Sequence, residues 1–274
     1  MIQRSIIYLS LLTVLFHGNL FAHEQSIVEL KTRGDVDQKY LLIEPENPTA
    51  SVILFAGGHG GLELTSYAFG NPGMKWGKNN FLVRTSEMFA DNSFVVAVID
   101  SPSDYRKMNA IWRMSQEHAD DISAVIKSLK QKYDLPVWVI GTSMGTFSVP
   151  NAAIRLNSEV DGMVLTSTVT RAKGDWKIKS SHPDGIINME LDKISAPSLI
   201  VSHKDDKCSV TPPEDSDKIK SALSNSKKVE VLYYSGGKPP KSEPCQALSA
   251  HGFYGIEEEV VNDICKFIKE TSTK

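Results

Sequence analysis

Cysteine is scarce in this chain, with three residues in 274. At that density a disulfide framework cannot stand in for a packed core, so the fold must rest on buried apolar side chains. Metal-binding patterns are missing too. There is no H-E-x-x-H and no closely spaced His/Cys pair, so no metal is expected. Nor is there an excess of basic charge: 30 Lys and Arg stand against 33 Asp and Glu, a formal net charge of −3. Without a basic stripe, nucleic acid is excluded as an electrostatic partner. Internal repeats and low-complexity tracts are absent. No apolar run reaches the ~20 residues that a membrane-spanning helix requires.

What is present at the start is a leader-like segment. Met1 to Arg4 carries one positive charge, Ser5 to Phe16 is almost purely apolar, and Leu20-Phe21-Ala22 ends on a small residue. That layout predicts a secretory signal peptide over residues 1–22, and therefore a secreted or periplasmic protein with no membrane span once it is removed. The remaining residues 23–274, roughly 250, suit one α/β domain better than two small ones. In an oxidising compartment three thiols leave at least one free. Cys265 falls among Val260, Ile264 and Ile268 on one helical face and reads as a core thiol. Cys208 and Cys245 lie in loop-like, Pro-containing sequence and are the expected bridge.

Hydrophobic periodicity alternates strands with helices. Short strands are expected at Ser26 to Leu30 and Tyr40 to Ile43. Continuous apolar runs at Ala50 to Phe55, Phe94 to Ile99 and Pro136 to Ile140 read as strands covered on both faces, and Val160 to Leu165, Ser198 to Ser202 and Val229 to Tyr234 add further strands. Helical spacing marks Ser115 to Tyr133, Met144 to about Asn157, Asp215 to Leu223 and Ile256 to Ile268. The alternation predicts a mostly parallel sheet with helices on both faces. A polar, irregular stretch at about 168–192 is the only segment roomy enough for a cap, and it would be a small one.

One motif carries chemistry. Gly141-Thr142-Ser143-Met144-Gly145 fits G-x-S-x-G, with the strand Val137-Trp138-Val139-Ile140 before it and a helix-capable segment after it. A sharp strand-to-helix turn at such a motif pushes the Ser hydroxyl out above the sheet edge, and the glycines are needed where side chains would collide. On this motif and the element order, essentially the whole mature chain resembles the α/β-hydrolase superfamily.

The resemblance implies a catalytic order of Ser, then Asp or Glu, then His. Ser143 would be the nucleophile. In Ser202-His203-Lys204-Asp205-Asp206, where the family often carries Gly-x-x-Asp, Asp206 takes the acid position with Asp205 as runner-up, and His203 stands where Gly is usual. His251, between the last strand and the last helix, takes the base position. The N–H of Met144 and of a residue in Ala56-Gly57-Gly58-His59-Gly60-Gly61 would hold the oxyanion, with Gly58 the best alignment and His59 the second. That loop lacks the Lys-Ser/Thr ending of a phosphate-binding P-loop.

The activity so implied is cleavage of a small carboxylic ester through an acyl-serine intermediate, with no cofactor. A peptidase or an acyltransferase using the same three residues, or a catalytically silent binding member of the fold, are the alternatives. Trp76, Phe81, Trp112 and Trp176 are the aromatic candidates for pocket walls. A small cap suggests an open site suited to short acyl chains.

Overall fold

The computed structural model describes residues 23–67 and 71–272; the expected leader, residues 1–22, lies outside them. Two long strands, β1 (Glu24–Lys31) and β2 (Asp37–Glu44), form an antiparallel hairpin, and β3 (Ala50–Phe55) follows. A small separate hairpin, β4 (Leu64–Ser66) and β5 (Pro72–Met74), precedes two short helices, α1 (Phe81–Arg84) and α2 (Ser86–Asp91). Next come β6 (Phe94–Ile99), α3 (Ala110–Arg113), α4 (Gln116–Tyr133), β7 (Val137–Ser143), α5 (Ser148–Arg155) and β8 (Gly162–Thr168). The chain closes with β9 (Ser198–His203), α6 (Ser216–Ala222), β10 (Val229–Tyr234) and α7 (Glu257–Ser272).

The main sheet has eight strands in the order β1-β2-β6-β3-β7-β8-β9-β10. Only β1 and β2 run against their neighbours; every pairing from β6 to β10 is parallel. Both faces are covered, as the continuous apolar strands require. Along β6, Val95, Ala97 and Ile99 join one core, with Ile122, Val125, Ile126 and Leu129 of α4 and Val149 and Ala152 of α5. Phe94, Val96 and Val98 face the other, with Phe89 of α2 and Val260, Ile264 and Ile268 of α7. This is the period-two alternation of a strand buried on both sides. Ser115 caps α4 by accepting the His118 N–H at 3.2 Å, and Asp134 ends it in a left-handed conformation, φ 52°.

Two stretches depart from the sequence reading. The helix expected from Met144 begins as a 3₁₀ turn, Met144–Phe147, and becomes α-helical only at Ser148. Thr146 Oγ1 donates to the Ser143 carbonyl at 2.6 Å and tightens that first turn. The β4–β5 hairpin and the short helices α1 to α3 have no counterpart in the sequence reading. The stretch from 168 to 192 folds as two 3₁₀ turns, Gly185–Asn188 and Leu191–Lys193. It is pinned to the core by Val169, Ala172, Ile178, Ile186 and Leu191. Among the described residues no helix is long and apolar enough to cross a membrane.

Candidate active site

Parallel strands with crossover helices leave a crevice outside their carboxyl ends. The loops after β3, β7, β9 and β10 all open there, and they carry the Gly-rich segment, Ser143, Asp206 and His251. Ser143 is the last residue of β7 and holds φ 52°, ψ −126°, outside the regions that L-residues favour. Such a conformation costs about 1–3 kcal/mol and persists only where the surroundings impose it. Here they do. A Cβ at Gly145 would strike the Phe55 carbonyl and one at Gly141 the Gly145 carbonyl, so the turn packs against β3 with no room to relax. The sheet register also shifts between Thr142 and Ser143.

His251 sits on a 3₁₀ turn, Ala250–Gly252, before α7 and is 5% exposed. Its Nδ1 lies 2.9 Å from Asp206 Oδ2. The Asp206 side chain is 2% exposed and its other oxygen accepts the Cys208 N–H at 2.9 Å. With Nδ1–H donated to a carboxylate, Nε2 keeps its lone pair and is the basic nitrogen. Asp205 is placed quite differently: it is 61% exposed and accepts the Gly236 N–H. His203, buried beneath it, accepts the Asp205 N–H on Nδ1 at 3.1 Å, so its Nε2–H donates to the Gly236 carbonyl at 3.1 Å. It therefore braces the loop of Asp205 and Asp206 and is not among the residues that line the cleft.

Sequence reasoning passed over Thr211. Its hydroxyl donates to Asp206 Oδ2 at 2.9 Å and lies 3.1 Å from His251 Nδ1, clamping the pair. Ser143 and His251 line one cleft of about 250 Å³ with Gly57, Gly58, His59, Trp76, Asn80 and Phe81. Among the described residues no hydrogen bond joins Ser143 to the His251 ring; in catalytic sites such bonds are often long without substrate and tighten when it binds.

A disulfide joins Cys208 to Cys245, 37 residues apart. Cys208 is two residues past Asp206, and Cys245 lines the cleft beside His251. Closing a loop of this length stabilises the fold by about 4 kcal/mol on the chain-entropy model. It also restrains the loop of Asp206 against that of His251.

The Gly-rich loop approaches from β3. Gly57 abuts Ser143: a Cβ there would lie 3.0 Å from Ser143 Cβ. Gly58 follows in a left-handed conformation, φ 59°, and lines the same cleft as Ser143. His59 Nδ1 is engaged within its own loop, accepting the Gly61 N–H at 3.1 Å. Asp100, at the end of β6, accepts the N–H groups of Leu62 and Leu64 at 2.6 and 2.8 Å and fixes the loop's far end.

Neither a sequence-family model nor a curated protein matches the chain. Solved structures do resemble it. The Pyrococcus furiosus esterase Pf2001 aligns over 90% of this chain and 93% of its own at 17% identity and a TM-score of 0.62. A Xanthomonas campestris protein described as an α/β serine hydrolase without a lid covers 93% of this chain and 98% of its own, at 13% identity and a TM-score of 0.56. The chain has the α/β-hydrolase fold. A Porphyromonas gingivalis dipeptidyl peptidase 4 also shares the fold, over 91% of this chain but 36% of its own, at 14% identity and a TM-score of 0.59.

Within this α/β-hydrolase scaffold the loop beside Ser143 rests on a buried cation. Arg113, at the end of α3, is 0% exposed and has no carboxylate partner among the described residues. Its Nη2 donates to the carbonyls of Ala56 and Gly58 at 3.0 and 3.4 Å, and its Nη1 to Ser148 Oγ at 2.9 Å. Burial pushes the guanidinium pKa down to about 9. With those carbonyls held by Arg113, this part of the backbone is fixed in orientation.

On the other side of Ser148 lies His118, with Nε2 2.9 Å from the same hydroxyl. Burial first, and then the charges of Arg113 and Arg33, push its pKa down from 6.5 to about 3. It is neutral when folded, whereas the unfolded chain takes up a proton below pH 6.5. Its contribution is therefore complete above 6.5 and declines as pH falls toward 3. Between pH 7 and 5 the wild type should lose about 2 kcal/mol more than His118→Gln. Urea unfolding of both proteins at the two pH values measures this; equal losses would disprove it.

Proposed function

We propose that the chain is a serine hydrolase that cleaves carboxylic esters through an acyl-Ser143 intermediate. The observation that carries this reading is the buried Asp206–His251 hydrogen bond at 2.9 Å, opening on the same cleft as a Ser held in a strained turn. A hydroxyl is a weak nucleophile until a neighbouring base accepts its proton, and His251 Nε2 is the base available. Ser143 Oγ attacks the ester carbonyl as His251 takes its proton. Asp206 stabilises the imidazolium and Thr211 holds Asp206 in place. The oxyanion accepts from the N–H groups of Gly58 and Met144, each contributing about 3 kcal/mol to the barrier reduction if it behaves like measured donors. His251 then returns the proton to the departing alcohol, and water repeats the sequence on the acyl-enzyme.

No residue in this scheme needs a cofactor. The disulfide supports the further reading that the protein works in an oxidising compartment after export. A fluorophosphonate probe tests the proposal: Ser143 should be labelled covalently in the wild type and unlabelled after His251→Ala. Absent labelling, with a folded protein, would favour a binding role for the same scaffold.

A further inference from the structure

The cleft at Ser143 has a second chamber. It is about 440 Å³ and meets the first at Gly58 and His59. Its walls are Met108, Ala110, Ile111, Met144, Trp176 and Ile178, and Lys107, Asp175 and Lys177 stand among its lining. His251 and Ser143 line the first chamber and are not among the residues of the second, whereas Met144 lines only the second.

The chemistry assigns the two chambers. An ester poised for attack has its carbonyl oxygen toward the oxyanion donors and two further substituents on the same carbon. The leaving oxygen must lie within reach of His251, because that ring returns its proton. The alcohol portion therefore occupies the His251 chamber, and the acyl chain departs past Met144 on the opposite side. We propose that the second chamber is the acyl subsite and selects esters of apolar acids of medium chain length, an assignment that rests on the serine-hydrolase reading above.

Size and lining both support it. The volume falls within the ~300–1,000 Å³ of sites that enclose whole small ligands, which an acetyl group would leave largely unfilled. At ~30 Å³ per carbon, comparable to a water molecule's share of the liquid, a chain of roughly six to eight carbons fits with space to spare. The stretch at 168–192 takes part as a wall, through Trp176 and Ile178, and leaves the chamber open to longer chains than a small cap suggested.

p-Nitrophenyl esters from acetate to decanoate test the assignment, alongside acetates of alcohols from methanol to octanol. Each buried methylene should raise kcat/KM about three- to fourfold, giving at least a tenfold rise from acetate to hexanoate through KM. Ile111→Trp, at the half-exposed lip, should lower kcat/KM for octanoate about tenfold more than it lowers that for acetate. Trp176→Ala should flatten the acyl series by removing a wall. The alcohol series should respond to neither variant. A flat acyl profile in a wild type that still labels at Ser143 would overturn the subsite and leave the hydrolase reading standing. Variant effects confined to the alcohol series would also overturn it. If Ser143 takes no label and no ester is cleaved, the underlying reading fails instead.

Discussion

Replacing Ser143 by Ala is expected to lower kcat for an ester substrate by about 10⁴- to 10⁶-fold, with the protein still folded. The scale is that of removing a nucleophile from a three-residue unit whose members act together. What survives is the contribution of binding and of the oxyanion donors. Stability separates this effect from misfolding. The Ser143 side chain makes no hydrogen bond among the described residues, so Ala at that position should leave the unfolding midpoint nearly unchanged. Ser143→Gly should be equally inactive yet more stable by about 1 kcal/mol, because Gly adopts φ 52°, ψ −126° without the steric cost that Ser bears. Steady-state kinetics and urea unfolding of the two variants read both quantities. A Ser143→Ala enzyme retaining a tenth of wild-type activity would remove Ser143 from the mechanism.

Asp206→Asn should reduce kcat by about 10⁴-fold, and Asp205→Asn by less than twofold. The neighbours differ because only one touches the base. Asp206 holds the proton of His251 on Nδ1; an amide in its place favours the wrong tautomer and leaves the imidazolium unsupported, a change of about that size in a measured hydrolase. Asp205 is largely exposed and accepts one backbone N–H, so its loss acts on the loop at Gly236 and not on the reaction. Parallel kinetics of the two variants decide between them, and equal effects would discard the assignment of Asp206.

The strands that align the site are legible in the sequence because their patterning is unambiguous. Ala50–Phe55, Phe94–Ile99 and Val229–Tyr234 have the same bounds in the sequence reading and in the structure. The first two are largely apolar runs buried along their whole length, as strands covered on both faces require, whereas Val229–Tyr234, at the sheet edge and interrupted by Glu230, is only partly buried. The pieces that went unread are short. β4 and β5 are three residues each and α1 and α3 four, too brief for any period to emerge. Yet Trp76 and Phe81, both in the region of β4 to α1, line the cleft. Trp112, an equal candidate by composition, stacks on Tyr105 with ring centroids 4.2 Å apart and lines neither chamber.

Side-chain roles that depend on distant partners were out of reach. Arg113 gives no local sign of its burial, because its acceptors at Ala56 and Gly58 lie more than fifty residues earlier. Thr211 gives no local sign of its contacts with Asp206 and His251. The two adjacent aspartates could be ranked only by resemblance; the direction each takes from the loop is a property of the fold.

The three cysteines, finally, bear on the order in which the protein matures. Cys265 lies on the core-facing side of α7, fully buried, and burial pushes its thiol pKa up to about 12. The thiolate is the species that exchanges with disulfides, so once α7 has docked this residue is withdrawn from the reaction. Of the three pairings open to a loose chain, two would require tearing that helix away. If packing precedes oxidation, a single cross-link is left to form, and the tether between the loops of Asp206 and His251 is proofread by the helix behind them.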